Sequence, residues 1–133
     1  MKSRLIATAL IVIAWMVLDY LFHGVWLMAD YQLTESLWRP MDEMKNGLMT
    51  LSSVATALFF VLIFCQLVAE KNLQKGIKLG VLVGLIVGTG AALVSYATMP
   101  ITTTITLGWF LANLVKFSVA GAITGYLVKT DLS

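Results

Sequence analysis

The sequence has few charged residues: only 12% of its 133 residues are Asp, Glu, Lys or Arg. Soluble domains carry about 25% charged residues, and a small one leaves much of its surface in water. With 59% hydrophobic residues and a mean hydropathy of +0.90, this chain has more apolar side chains than a small soluble fold can bury. The composition therefore predicts a single domain, residues 1–133, whose solvent and main partner is the lipid bilayer.

Cysteine and histidine occur once each, as Cys65 and His23. A single cysteine excludes a disulfide within the chain and any CxxC metal or redox site. A single histidine leaves a bis-histidine haem site one ligand short, so we expect no cofactor. The net charge of +2 lacks the basic footprint of nucleic-acid binding. Common hydrolase, metalloprotease and nucleotide-binding motifs are also missing, so we expect a protein that is not an enzyme.

Long apolar runs dominate the chain, and a helix needs about 20 such residues to cross a bilayer. Four runs qualify, at residues 5–28, 48–69, 77–99 and 105–128. They predict an all-α, polytopic membrane protein with four transmembrane helices in a bundle. The connection between the first two runs is long, whereas the other two connections are short.

The positive residues predict how these spans are oriented, because Lys and Arg in short loops mark the cytoplasmic side of a membrane. The first connection has mixed charge and the third has none. The positive residues at the other end of the spans are Lys2, Arg4, Lys71, Lys75, Lys78 and Lys129. We therefore expect both termini in the cytoplasm and the first and third connections outside.

The first connection has its own helical pattern. Thr34 is placed to cap a short helix, and four apolar residues follow at amphipathic spacing: Leu37, Trp38, Met41 and Met44. Pro40 would break or start such a helix. We expect a short interfacial helix on the outer surface, with an irregular polar loop as the alternative.

The third run contains a row of glycines at every fourth position: Gly76, Gly80, Gly84 and Gly88. The fourth run repeats the spacing with Gly121 and Gly125. Residues four apart share a helix face, and a face without side chains lets another helix come close. The row predicts close packing, either with a helix of the same chain or with another copy or a larger membrane complex.

Ionisable residues inside the runs are the candidates for function. Asp19 and His23 lie on one face of the first span, and Lys116 lies in the fourth span with Asn113 one turn away. Asp19 and Lys116 reach similar depths, about 14 and 16 Å from the outer ends of their spans. An unpaired charge at mid-membrane costs at least ~2.5–3.5 kcal/mol, so we predict an Asp19–Lys116 salt bridge. The alternatives are a Lys116 that extends to the surface and an Asp19 paired with His23.

Copper(I) is the one metal for which the sequence offers ligands, because thioether sulfur suits it. His23, Met28, Met41 and Met44 map to the outer boundary. Methionine is also a common gap-filling residue in apolar cores, so no metal site is expected from these residues alone.

The segments "LDYLFHGVWLMADYQLTESLWRPMDEM" and "TMP…LGWF" resemble small bacterial membrane proteins with four predicted helices. The resemblance covers nearly the whole chain and implies a location in the bacterial inner membrane. It implies no activity and no catalytic or binding residue.

Three functions are consistent with these patterns. The first is a non-enzymatic packing or accessory subunit that associates through the glycine face. The second is a small transporter or an ion- or proton-binding bundle that uses Asp19, His23 and Lys116. The third is copper(I) handling at the outer surface. We predict that Asp19, His23, Asn113 and Lys116 form one buried polar cluster. A sealed cluster would favour the first function, whereas an opening that reaches Asp19 would favour the second.

Overall fold

The computed structural model describes residues 1–129, which are helical apart from short connections and contain no strand. Helix α1 (Lys2–Asp19) continues into a π-helical segment (Tyr20–Trp26), which is followed by the short helix α2 (Met28–Leu33). Two 3-10 turns, Glu35–Leu37 and Met41–Glu43, complete the first connection. The remaining helices are α3 (Asn46–Leu67), α4 (Leu73–Thr98) and α5 (Thr103–Leu127).

Four helices are long and apolar enough to cross a membrane, as the four apolar runs predicted. They are Lys2–Trp26, Asn46–Leu67, Leu73–Thr98 and Thr103–Leu127. Each begins a few residues earlier than the apolar run that predicted it. The reason is that a helix can begin before its apolar run, so the polar residues Gln74 and Lys75 lie in the first turn of α4.

Side-chain caps set the starts of α4 and α5. The Asn72 side chain accepts a hydrogen bond from the backbone N–H of Lys75, and Thr102 does the same for Ile105. These bonds satisfy backbone donors that a helix start otherwise leaves free. Pro100 disfavours a helical conformation at the preceding residue, and Met99 is accordingly extended. The two short connections therefore follow directly from local sequence.

Helices α4 and α5 are in backbone contact along the glycine row. Gly76, Gly80, Gly84 and Gly88 are all buried in this contact. A Cβ atom added at Gly80 would overlap the carbonyl oxygen of Phe117, and one at Gly84 would lie 2.9 Å from the Cα atom of Leu114. Gly121 and Gly125 of α5 meet Gly76 and the Asn72 carbonyl in the same way. The glycine face is thus occupied by α5 and is not available to another chain.

An aromatic core joins α1, α3 and α5. The Trp15 and Phe117 rings meet edge to face with centroids 5.2 Å apart, and Phe60 packs on Phe117 at 5.8 Å. Buried aliphatic residues, including Ile11 and Val61, extend this core towards the end of the molecule that carries the termini. The long helices therefore pack in the order α3, α1, α5, α4.

The first connection is helical in a different place from the one predicted. Thr34 does not cap a following helix; it ends α2, with its hydroxyl donating to the carbonyl oxygen of Asp30. The residues after it form two separate 3-10 turns, and Pro40 lies between them. The prediction of one amphipathic helix after Thr34 was wrong, because the extended backbone at Trp38 and Pro40 interrupts it. Its position at a membrane surface stays a prediction.

Candidate functional site

An ion pair between α1 and α5 is the centre of the site. The Nζ atom of Lys116 lies 2.7 Å from Oδ1 and 2.9 Å from Oδ2 of Asp19. Helical side chains lean towards the N-terminus of their helix. The Lys116 side chain therefore extends towards the N-terminus of α5, which is the direction in which Asp19 lies. The Trp15 ring supports the ammonium at 5.0 Å, and its indole N–H donates to the Lys116 carbonyl oxygen. The pair is therefore positioned by two helices and one aromatic side chain.

His23 lies on the π-helical segment, next to this pair but not hydrogen-bonded to it. Its Nε2 atom is 3.9 Å from Oδ1 of Asp19, which is an ion-pair distance and too long for a hydrogen bond. In a π-helix each backbone hydrogen bond spans five residues and not four, and the bond from the Leu27 N–H to the Phe22 carbonyl oxygen is an example. Such segments are common at functional sites. The predicted alternative, a hydrogen bond between Asp19 and His23, is not formed.

Tyr31 of α2 links His23 to α5. Its hydroxyl oxygen is 2.6 Å from Nδ1 of His23 and accepts a hydrogen bond of 2.7 Å from the indole N–H of Trp109. Burial raises the pKa of the Tyr31 phenol, so the hydroxyl keeps its proton at neutral pH. Tyr31 can donate this proton in a hydrogen bond to Nδ1 of His23. A neutral His23 then carries its own proton on Nε2, the nitrogen that lies nearest Asp19.

The first connection is tied to the start of α5 by further hydrogen bonds. Thr102 donates its hydroxyl proton to Oδ1 of Asp30 at 2.7 Å. The Trp38 indole donates to the Thr34 hydroxyl, and the Trp38 ring packs against Tyr31 and Trp109. These contacts hold Tyr31 against His23, so Tyr31 and Trp38 of the first connection cover one side of the site.

On the other side the site opens into a groove of about 670 Å³. The groove is lined by Asp19, His23, Leu48, Met49, Ser52, Ser53 and Lys116. It lies beside the N-terminal part of α3, where no residue before Ala57 is buried, and not at the aromatic core that joins the three helices. The side chains of Asp19 and His23 remain 36% and 39% exposed here, although both belong to an apolar span. Asp19 and His23 are therefore accessible from the groove, whereas the Lys116 side chain is only 16% exposed.

The structure does not bring Asn113 into this cluster. Its amide donates to the carbonyl oxygen of Trp109 on its own helix, at 2.9 Å, and its Cβ faces Gly88. Positions 113 and 116 lie about 60° apart around a helix. That rotation turns Asn113 towards α4, whereas Lys116 turns towards α1. The prediction that Asn113 joins Asp19 and Lys116 was wrong for this reason.

The candidate copper ligands are spread over the first connection. Met28 begins α2, Met41 begins the second 3-10 turn, and Met44 follows that turn. Nδ1 of His23 is engaged by the Tyr31 hydroxyl. Within residues 1–129, no group of three or more His, Cys, Asp or Glu side chains is arranged to hold a metal ion.

Sequence reasoning missed Tyr31, Trp109 and Ser52. The spacing gave only a weak signal for Tyr31, because it follows His23 by about two helical turns but lies about 80° away around a helix. The sequence gave no such signal for Trp109 and Ser52, because each reaches the site only through the rotation of its helix in the folded protein. The aromatic character of Tyr31 and Trp109 indicates only a place near the membrane boundary.

No known protein family, curated protein or solved structure matches this chain. The chemistry of the site therefore follows from its geometry. The groove offers a carboxylate, an ammonium, an imidazole and two serine hydroxyls beside apolar walls. Such a set can hold a proton and a small polar solute or ion, and it lacks the dense carboxylate set that a divalent cation prefers.

Proposed function

We propose that this chain spans a membrane and works as a small transporter or ion- and proton-binding protein, with Asp19, His23 and Lys116 at its binding site. The observation that carries the proposal is the groove that reaches the Asp19–Lys116 pair. A charged pair kept only for structure would be expected to be sealed by packing, because ionisable groups in hydrocarbon are costly. Exposure of Asp19 to a groove instead supports contact with water or a polar ligand.

The distribution of positive residues supports an orientation for this site. The cytoplasmic ends of the spans would be those with Lys2, Arg4, Lys71, Lys75, Lys78 and Lys129. Leu48, which lines the groove, lies at the opposite end of the spans, in the first turn of α3. In the bacterial inner membrane, with both termini in the cytoplasm, the site would then be reached from the outer side.

The accessory-subunit hypothesis has less support. It required a glycine face on α4 that was free to meet another chain, and α5 covers that face along its length. Homo-oligomers or larger complexes would need a different surface. The chemistry of the groove favours binding and not catalysis, since its one carboxylate is already paired with Lys116.

Because His23 is the only histidine, its protonation can be followed directly. The chain would be labelled with ¹⁵N-histidine, purified in detergent and titrated between about pH 5 and 8, where histidines change charge. We expect one set of imidazole signals that titrates reversibly, with the proton of the neutral form on Nε2. The variant His23→Ala serves to assign these signals. An imidazole that exchanges no proton with the solvent over this range would contradict the proposal.

A further inference from the structure

The charge balance of the groove restricts what it can bind. Around His23, the titratable groups are Asp19 on its own span, Tyr31 from α2 and Lys116 from α5. The α3 wall adds no titratable group to the groove, only Leu48, Met49, Ser52 and Ser53. With a neutral imidazole and a protonated phenol, the charges of Asp19 and Lys116 cancel. The empty site is therefore formally neutral.

A neutral site inside an apolar span resists a change of one charge, because a net charge in low dielectric is expensive. A proton added to His23 alone would leave a charge of +1, and an anion added alone would leave −1. Adding both restores neutrality. A cation added alone would also leave a charge of +1, and the groove lining has no second carboxylate to compensate it.

The donors in the groove suit an anion. An ammonium has three N–H bonds, and Lys116 directs two hydrogen bonds to Asp19, which leaves one for a ligand. Ser52 and Ser53 add hydroxyl donors from α3. Leu48 and Met49 line the groove with apolar surface, which suits a short alkyl chain better than a second charge.

We propose that the groove binds the anion of a small monocarboxylic acid together with a proton, the carboxylate at Lys116 and the serine hydroxyls and the proton on His23. This inference rests on the function proposed above, for which it specifies the class of ligand as small monocarboxylic acids. Binding of the two is reciprocal: the anion favours protonation of His23, and the proton favours the anion. Nδ1 must then donate to the Tyr31 oxygen, so protonation reverses the hydrogen bond between His23 and Tyr31.

The experiment is the ¹⁵N-histidine titration of the full chain, repeated at increasing acetate concentration. Each tenfold increase in acetate above its Kd should move the midpoint of the His23 titration to higher pH by up to about one unit. Propionate should act at lower concentration than acetate, by up to about fourfold for the added methylene. Sulfate at equal ionic strength is the control, since a dianion with one proton leaves the site charged.

Two serine variants make the test specific. Ser53→Ala removes a donor from the groove and should weaken the acetate effect severalfold. Ser118→Ala is the matched control, because Ser118 donates to the Leu114 carbonyl of its own helix and faces α4; its acetate response should equal that of the wild type. Equal shifts with acetate and sulfate, or a midpoint that ignores acetate while His23 still titrates, would overturn the inference and leave the proposed function standing. Loss of the titration itself would overturn both.

Discussion

Lys116 directs its ammonium at both carboxylate oxygens of Asp19, at 2.7 and 2.9 Å, across 97 residues of sequence. Both residues lie within helices long and apolar enough to cross a membrane. One carboxylate thus compensates one ammonium in a setting where either alone would be unfavourable. The pair, and the groove beside it, are the features from which the behaviour of this chain can be tested.

Replacing one member of the ion pair should lower the stability more than replacing both members. Asp19→Asn leaves Lys116 without a counter-charge, and Lys116→Met leaves Asp19 without one. Each single variant should lose about 1–3 kcal/mol, less than the ~3–5 kcal/mol of a fully buried pair because Asp19 is partly exposed. The double variant should be more stable than either, as measured by thermal unfolding in one detergent. Strictly additive losses would show that the two charges do not stabilise each other.

The glycine row offers a matched comparison within one helix. Gly80→Ala places a methyl group against the Phe117 carbonyl, so α4 and α5 must separate, at a cost of about 1–3 kcal/mol. Gly90 has nothing within 4 Å of an added Cβ. Gly90→Ala should therefore be neutral or stabilising, by up to about 1 kcal/mol from helix propensity. Thermal unfolding of the two variants side by side checks this, and equal effects would mean that the α4–α5 contact is not close.

The Tyr31 hydroxyl should contribute to stability in a pH-dependent way. Tyr31→Phe leaves the Trp109 N–H and His23 Nδ1 without their partner, which should cost about 1–3 kcal/mol at neutral pH. Burial raises the pKa of Tyr31, so the folded state retains this proton while the unfolded state loses it above about pH 10. The contribution is present below that pH and decreases as the pH rises through the folded-state value.

Unfolding measured from neutral to alkaline pH tests this prediction. The stability of the wild type should decrease more steeply above about pH 10 than that of Tyr31→Phe. Tyr126→Phe is the control, because Tyr126 is exposed on α5 and the chemical change is the same. A Tyr31→Phe curve parallel to the wild type would rule out linked titration of the phenol.

Topology is predicted from charge alone and can be checked with reporter fusions. A fusion at Lys45, in the first connection, should report the outer side of the membrane. Fusions at Asn72, in the second connection, and at the C-terminus should report the cytoplasm. The physical reason is the concentration of Lys and Arg at that end of the spans. A cytoplasmic signal at Lys45 would reverse the proposed access to the groove.

Several structural features could be predicted from local sequence because their causes are local. Apolar length sets the four spans, Asn72 and Thr102 cap the helices that follow them, and Pro100 ends α4. The four-residue spacing of the α4 glycines likewise defines one helix face, since helical periodicity acts within a single segment. Thr34 shows the limit: a capping residue ends one helix as readily as it begins another, and the choice depends on contacts with Asp30 and Trp38.

By itself, the sequence determined that this chain has four long apolar helices and that Asp19 and Lys116 lie at comparable depths, because hydropathy and rise per residue act along the chain. Tertiary structure alone decided which side chains meet at that depth. The rotation of α5 turns Lys116 towards Asp19 and Asn113 towards Gly88, and the π-helical register places His23 under Tyr31. The N-terminal part of α3, which has no buried residue before Ala57, forms one wall of the groove. Helix rotation and tilt depend on packing between residues far apart in sequence, which no local pattern encodes.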